Sequence, residues 1–323
     1  MTRDRIESSE LVRLRSPAHG YCDDDETRRL LRSRPPRQAL AWAERHLGAR
    51  VTSACVMRGG MSSAVHLLTA QGPRGGSVQA VLRRYVRPDL NEEEPDIASQ
   101  EAEVLRFVEP LDVPTPRLLA VDPTGDEAGV PALLMSRLPG RVDWWPNDAD
   151  RWLRGLAEIL PRIHGGPLPS RPGIIRPFAP YKQNSYEPPS WARRPAVWEE
   201  AVEIFHGPAP DEAAVLIQRD FHPGNVLWRY GKVSGVVDWQ AASIGPAALD
   251  VAHCRANLLG YGRDIAERFT ALWERASGMT YHPWAEVVTV ISSLDDLCNE
   301  PGSDHDVVED LLGQAVAKLR GGP

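Results

Sequence analysis

The chain is short of the features that would mark a membrane protein, a metal-stapled scaffold or a secreted fold. Only four cysteines occur in 323 residues, at Cys22, Cys55, Cys254 and Cys298, and no two stand in CxxC spacing, which argues against a structural zinc site or a disulfide framework. No apolar run approaches the length of a membrane span. The opening residues, from Met1 to Glu7, carry charges where a signal peptide would need an apolar core, so a cytoplasmic, reduced setting is the expectation. Positive charge is not in excess: 37 Lys and Arg face 44 Asp and Glu, for a net charge of −7 and a pI near 5.8. That balance argues against nucleic acid or an anionic membrane as the main partner and suits cationic ligands. Internal repeats and low-complexity tracts are also missing.

What is present is ample apolar residue, 42%, in a chain longer than one undivided core usually needs, so two lobes sharing a cleft are expected. Residues 1–34 are Arg-rich with poor periodicity and read as a weakly ordered extension. A helix is expected from Gln38 to Gly48, then strands over 51–56, 64–70 and 77–86, broken by glycines. A helix over 97–110 and two more strands over 118–121 and 132–135 complete a five-stranded antiparallel sheet, so that 35–138 forms a first lobe. Beyond Leu138-Pro139-Gly140 the pattern turns helical, with Trp152, Leu156, Ile159, Leu160 and Ile163 on one stripe, so 139–323 reads as a second, mostly helical lobe. The fold class is therefore α+β.

The chemistry concentrates in Gln218-Arg219-Asp220-Phe221-His222-Pro223-Gly224-Asn225 and in Val236-Val237-Asp238-Trp239. Asp220 and Asn225 stand five apart in a loop that Pro223 and Gly224 keep from being helical, and a turn at Gly231 would fold Val233 to Val237 back onto Asn225 to Trp228. Such a hairpin gathers Asp220, Asn225 and Asp238 at one end, where three oxygen-bearing side chains suit a divalent cation and a hydroxyl group. Phosphoryl transfer uses these parts: one carboxylate for the acceptor hydroxyl, an Asn and a second Asp for Mg²⁺ on the ATP phosphates. A plain surface turn is the competing reading of the same residues. Upstream, Gly59, Gly60 and Ser62 lie between the first two expected strands, where a tight turn presents backbone N–H groups to phosphate. Ala80-Val81-Leu82-Arg83 has the shape of the kinase strand that carries a phosphate-binding Lys, with Arg83 in its place. Glu101 is the expected partner of Arg83, with Glu103 second because it lies about 200° around the helix.

These segments, together with Gly245-Pro-Ala-Ala-Leu-Asp250, make the chain resemble the aminoglycoside phosphotransferase family, the small-molecule branch of the protein-kinase-like fold, over roughly residues 38–300. The resemblance implies that Asp220 is the catalytic base, that Asn225 and Asp238 bind magnesium, and that the backbone of the hinge at Met135, Ser136 and Leu138 receives the adenine of ATP. It implies a bracing role for Asp250 below the catalytic loop. Two positions depart from the family pattern. Gln218 stands where the family usually has His, and its amide can bond backbone without carrying charge; Arg83 stands for Lys and grips carboxylate bidentately. His222 is expected to pack or bond backbone, and His164 to join two helices.

The resemblance implies an ATP- and Mg²⁺-dependent transfer to a hydroxyl of a small polar molecule, with an aminoglycoside-like antibiotic as the leading class and antibiotic resistance as the consequence. A kinase for choline, an amino alcohol or a sugar would use the same parts, and a nucleotide-binding pseudokinase is the alternative from another class. The acidic stretch Leu294 to Glu300, with Asp304, Asp306, Glu309 and Asp310, reads either as a wall for a polycationic acceptor or as a solvated helix face.

Overall fold

A computed structural model describes residues 25–57, 62–170, 173, 175–180, 186–293 and 303–321. The described chain begins with a short helix, α1 (Asp25–Leu31), and the amphipathic α2 (Arg37–Leu47). Helix α2 stops at Gly48, whose φ of 58° is a left-handed cap that glycine adopts without steric cost. Five strands follow: β1 (Arg50–Met57), β2 (Ala64–Gln71), β3 (Ser77–Arg84), then, after α3 (Pro88–Glu93) and α4 (Ile97–Val108), β4 (Leu118–Asp122) and β5 (Ala132–Ser136). They pair antiparallel in the order β1-β2-β3-β5-β4, the five-stranded sheet that the alternation of the sequence implied.

Alternation also decides what each face meets. Leu68, Ala80, Leu82 and Leu134 pack with Ala39, Trp42 and Ala43 of α2. Trp42 is fully buried, and truncating an aromatic of that kind to Ala costs about 3–5 kcal/mol. On the other side, Ala98, Ala102 and Leu105 of α4 join Leu133 and Met135 in a core that continues into the second lobe. Part of the extension expected over 1–34 can be followed. Residues 1–24 lie outside the described residues, but from 25 onward the chain is helical, buries Leu31, and brings Ser33 against Arg84, which donates to its carbonyl at 3.0 Å and its Oγ at 3.1 Å. Arg84 is itself buried.

The crossing to the second lobe passes Gly140, at φ 109°, where a Cβ would stand 2.3 Å from Ser234 Oγ and 2.7 Å from the Trp228 carbonyl. Strand β6 (Arg141–Val142) then leads to α5 (Ala149–His164), α6 (Pro195–His206) and β7 (Ala214–Ile217). A 3₁₀ turn at Pro223–Asn225 precedes the hairpin of β8 (Val226–Arg229) and β9 (Lys232–Val236), turned at Gly231 as foreseen, with Val226 opposite Val236. Strand β10 (Ser243–Pro246) pairs with β7, and α7 (Ala248–Leu258), α8 (Arg263–Ser277), α9 (Trp284–Ser292) and α10 (Ser303–Leu319) complete the lobe. Helix α5 packs on α8, and α7 lies against both α8 and α9. Among the described residues no helix is long and apolar enough to cross a membrane.

Candidate active site

Strand β7 delivers the chain to Gln218, fully buried, and to Arg219, which takes φ 69°, a left-handed conformation unusual for a residue with a side chain. Asp250, in the first turn of α7 and fully buried, holds that turn. It accepts from Gln218 N at 3.0 Å and Arg219 N at 2.6 Å, and its Oδ2 lies 3.0 Å from His164 Nε2 at the end of α5. So the bracing carboxylate and the inter-helix histidine both stand where the sequence had suggested. Gln218 Nε2 donates to the carbonyls of Val237, at 3.2 Å, and Asp238. Asp238 too is left-handed, at φ 63°. Two non-glycine residues in that region flank one site, and their strain is held by the surrounding bonds.

Asn225 Nδ2 donates at 2.9 Å to both the carbonyl and Oδ2 of Asp220. Its backbone carbonyl accepts from Val237 N at 2.9 Å, which ties the loop to the segment bearing Asp238. His222 bonds backbone, as expected: its Nδ1 accepts from Gly224 N at 3.1 Å. The other oxygen of Asp220 meets a residue the sequence reading had passed over, His253 of α7, whose Nε2 lies 3.0 Å from Oδ1. Burial works to raise the pKa of Asp220, but the hydrogen bond and charge of His253, the charge of His222 and the bond from Asn225 prevail and hold it down to about 2.

From the sheet, Arg83 enters with only 4% of its surface exposed. Its Nη1 donates to Glu101 Oε1 at 2.7 Å and Asp238 Oδ1 at 2.9 Å, its Nε to Ser63 Oγ at 2.7 Å, and its Nη2 to Ser62 Oγ at 3.2 Å and Gln240 Oε1 at 3.4 Å. Burial opposes this charge, yet Asp238 and Glu101 outweigh it and keep the guanidinium well above its ordinary pKa. Glu101 also accepts from Tyr85 Oη, and burial pushes its carboxyl up against the pull of Arg83. Glu103, the second choice, pairs with Arg106 at the surface. Ser62 Oγ donates to Gln240 Oε1 at 3.1 Å, a direct bond between the lobes.

Of the other expected residues, Met135, Ser136 and Leu138 lie apart from this cluster. Gly59 and Gly60 lie outside the described residues. Met135 is buried in the core, and Ser136 has both its N–H and its Oγ bonded to Arg117, at 2.8 Å each. Leu138 follows β5 and packs close to Gly235. Of the acidic stretch, Leu294 to Glu300 and the Asp304 side chain lie outside the described residues. Asp306 pairs with Arg193 at 2.9 Å, Glu309 accepts from Trp198 Nε1 at 2.9 Å and Arg194 Nε at 3.3 Å, and Asp310 accepts from Arg194 at 2.7 Å. These three carboxylates bind α10 to α6 and to the segment before it.

Gln240 and Tyr85, which join this cluster, were not among the expected site residues. Tyr85 shares the Arg83 face by strand alternation, and His253 sits three residues beyond Asp250 on one helix, so both carried a positional signal.

A five-stranded antiparallel sheet over a helical lobe, joined at Arg83, Asp238 and Gln240, defines a kinase-like α+β fold. A model of the phosphotransferase enzyme family matches residues 54–287, and the chain belongs to that family and is a phosphotransferase enzyme. Among solved structures, the aminoglycoside phosphotransferase APH(4)-Ia is 17% identical, with 88% of this chain covering 99% of that one at a TM-score of 0.60. The macrolide 2′-phosphotransferase MphH from Brachybacterium faecium is 18% identical, with 84% of this chain covering 97% of that one and a TM-score of 0.54. APH(2″)-IIa, solved with streptomycin and ATP, is 12% identical, over 86% and 90% of the two chains, at a TM-score of 0.53. At such identities the likeness is one of fold.

Proposed function

We propose that the protein transfers the γ-phosphoryl group of ATP to a hydroxyl of a small antibiotic. The observation that carries this reading is the joint placement of Asp220, Asn225 and Asp238 beside the Arg83–Glu101 pair. Asp220 orients the acceptor hydroxyl and takes its proton, and Arg83, held by Glu101, neutralises phosphate charge. The linker of Met135, Ser136 and Leu138 would receive the adenine, and there the Ser136 amide is already bonded to the Arg117 carbonyl. The phosphates are assigned, in this reading, to the segment of Gly59, Gly60 and Ser62 between β1 and β2.

The donor set fits Mg²⁺. Asn225 uses its amide nitrogen on Asp220 and Asp238 uses Oδ1 on Arg83, so Asn225 Oδ1 and Asp238 Oδ2 have no hydrogen-bond partner among the described residues. Two hard oxygens completed by water and phosphate are what that ion accepts. When bound it would offset the negative charge of the phosphates.

APH(4)-Ia has been solved with hygromycin B and APH(2″)-IIa with streptomycin, which supports an aminoglycoside-like acceptor. A second reading, a less charged macrolide-like acceptor, is favoured by the residues around Asp220. His222 stacks on Trp144 with centroids 6.3 Å apart, Tyr261 donates to the Trp144 carbonyl at 2.8 Å, and exposed Trp145 lies 5.9 Å from the Tyr261 ring. That band is aromatic, while Asp306, Glu309 and Asp310 are already paired with arginines. A panel of aminoglycosides, macrolides, choline and sugars, read by ADP release with Mg²⁺ and ATP, tests the reading. Release driven by metabolites alone would replace the antibiotic acceptor, and ATP binding without any acceptor-dependent release would make the protein a pseudokinase.

A further inference from the structure

We infer that His253 is a positioning residue for the Asp220 carboxylate. The inference rests on the reading of Asp220 as the group that meets the acceptor hydroxyl. Asp220 is reached by two side chains on opposite oxygens: Asn225 Nδ2 on Oδ2 at 2.9 Å, and His253 Nε2 on Oδ1 at 3.0 Å. One comes from the catalytic loop itself and the other from α7, a helix already anchored to that loop by Asp250. A carboxylate gripped on a single oxygen can rotate about its Cβ–Cγ bond; gripped on both it cannot, and its remaining lone pairs keep one direction.

An ionised carboxylate only accepts, so the proton in this contact sits on His253 Nε2. His222 does not duplicate the arrangement. Its Nδ1 accepts from Gly224 N, and its Nε2 stays 3.8 Å from Asp220 Oδ2, beyond a hydrogen bond. The imidazoles of His222 and His253 lie 5.9 Å apart. The His253 side chain keeps 29% of its surface exposed beside Asp220, at 37%, so the pair stands at the open side of the loop rather than in the core.

The kinetic test uses the full chain with Mg²⁺-ATP and the acceptor that the panel shows to turn over fastest. His253→Ala should lower kcat by about 10–100-fold through lost orientation while the nucleotide dissociation constant stays within about twofold. His253→Gln, whose amide can again donate to Oδ1, should recover to within about threefold of the parent. An unchanged kcat in His253→Ala, or equal losses in the Ala and Gln variants, would overturn the inference. Asp220→Asn separates the two readings: if it turns over at the parent rate, the role of Asp220 fails, whereas loss in Asp220→Asn with none in His253→Ala removes only the role of His253. A ring measurement needs no acceptor. Long-range ¹H–¹⁵N spectra of the imidazoles, with His253 assigned through His253→Gln, should show Nε2 protonated and displaced in Asp220→Asn; a His253 ring indifferent to that change sinks the proposal.

Discussion

Arg83 brings a positive charge into a space where it touches almost no water, and each of its three nitrogens has a partner there. Removing it leaves Glu101 buried with only Tyr85 as donor. Arg83→Ala should therefore cost about 3–5 kcal/mol in denaturant unfolding, the usual penalty for stranding one member of a buried pair. Asp220 is the opposite case, a carboxylate to which the proposed function gives the role of base. Asp220→Asn should lower turnover by about 10²–10⁴-fold, the typical contribution of a general base, with ATP affinity kept; isothermal titration beside the ADP assay checks both. The same residue predicts a pH effect. Its folded pKa, about 2, lies below the ordinary value of 3.8, so its ionised form stabilises the fold fully above pH 4, and that contribution is lost as acid takes the pH down through 2. The melting temperature of Asp220→Asn should fall less steeply than that of the parent between pH 5 and 2.

Helix α7 is the element on which the site leans. Its Asp250 satisfies two backbone N–H groups of the loop that carries Asp220 and one histidine of α5. Asp250→Ala would leave those donors without a partner, at about 1–3 kcal/mol each before relaxation, so a loss near 3–5 kcal/mol is expected from urea titration. The elements that carried a period were legible in the sequence. The β8–β9 hairpin showed itself through its alternation and Gly231, the sheet through its glycine breaks, and Asp250 through its motif. Strands β6, β7 and β10 were not, because two to four residues are too few to establish any alternation. Nor could composition tell whether the carboxylates of α10 face solvent or a partner. Arg193 and Arg194, more than a hundred positions away, decide that, and only the packing of α10 brings them near.

At the scale of the molecule, one of the ties between the lobes is a polar cluster, where Arg83 and Ser62 of the sheet side meet Asp238 and Gln240 of the other. The Arg83–Glu101 pair was readable from strand and helix spacing. The reach of Arg83 to Asp238 was not, because 155 positions of chain separate them. A ligand touching both sides should stabilise the whole chain: Mg²⁺-ATP at a hundred times its dissociation constant adds about 2.7 kcal/mol. Thermal melts should show that gain, and Asp238→Asn should abolish the part that depends on Mg²⁺. Gln218, the departure from the family pattern, reaches across the same region, giving one amide nitrogen to the carbonyls of Val237 and Asp238. An amide neither gains nor loses a proton at any acidity the folded chain survives. The spacing between the two aspartate-bearing segments is thus set by a clasp deaf to acidity, where an imidazole would have made it a variable of the medium.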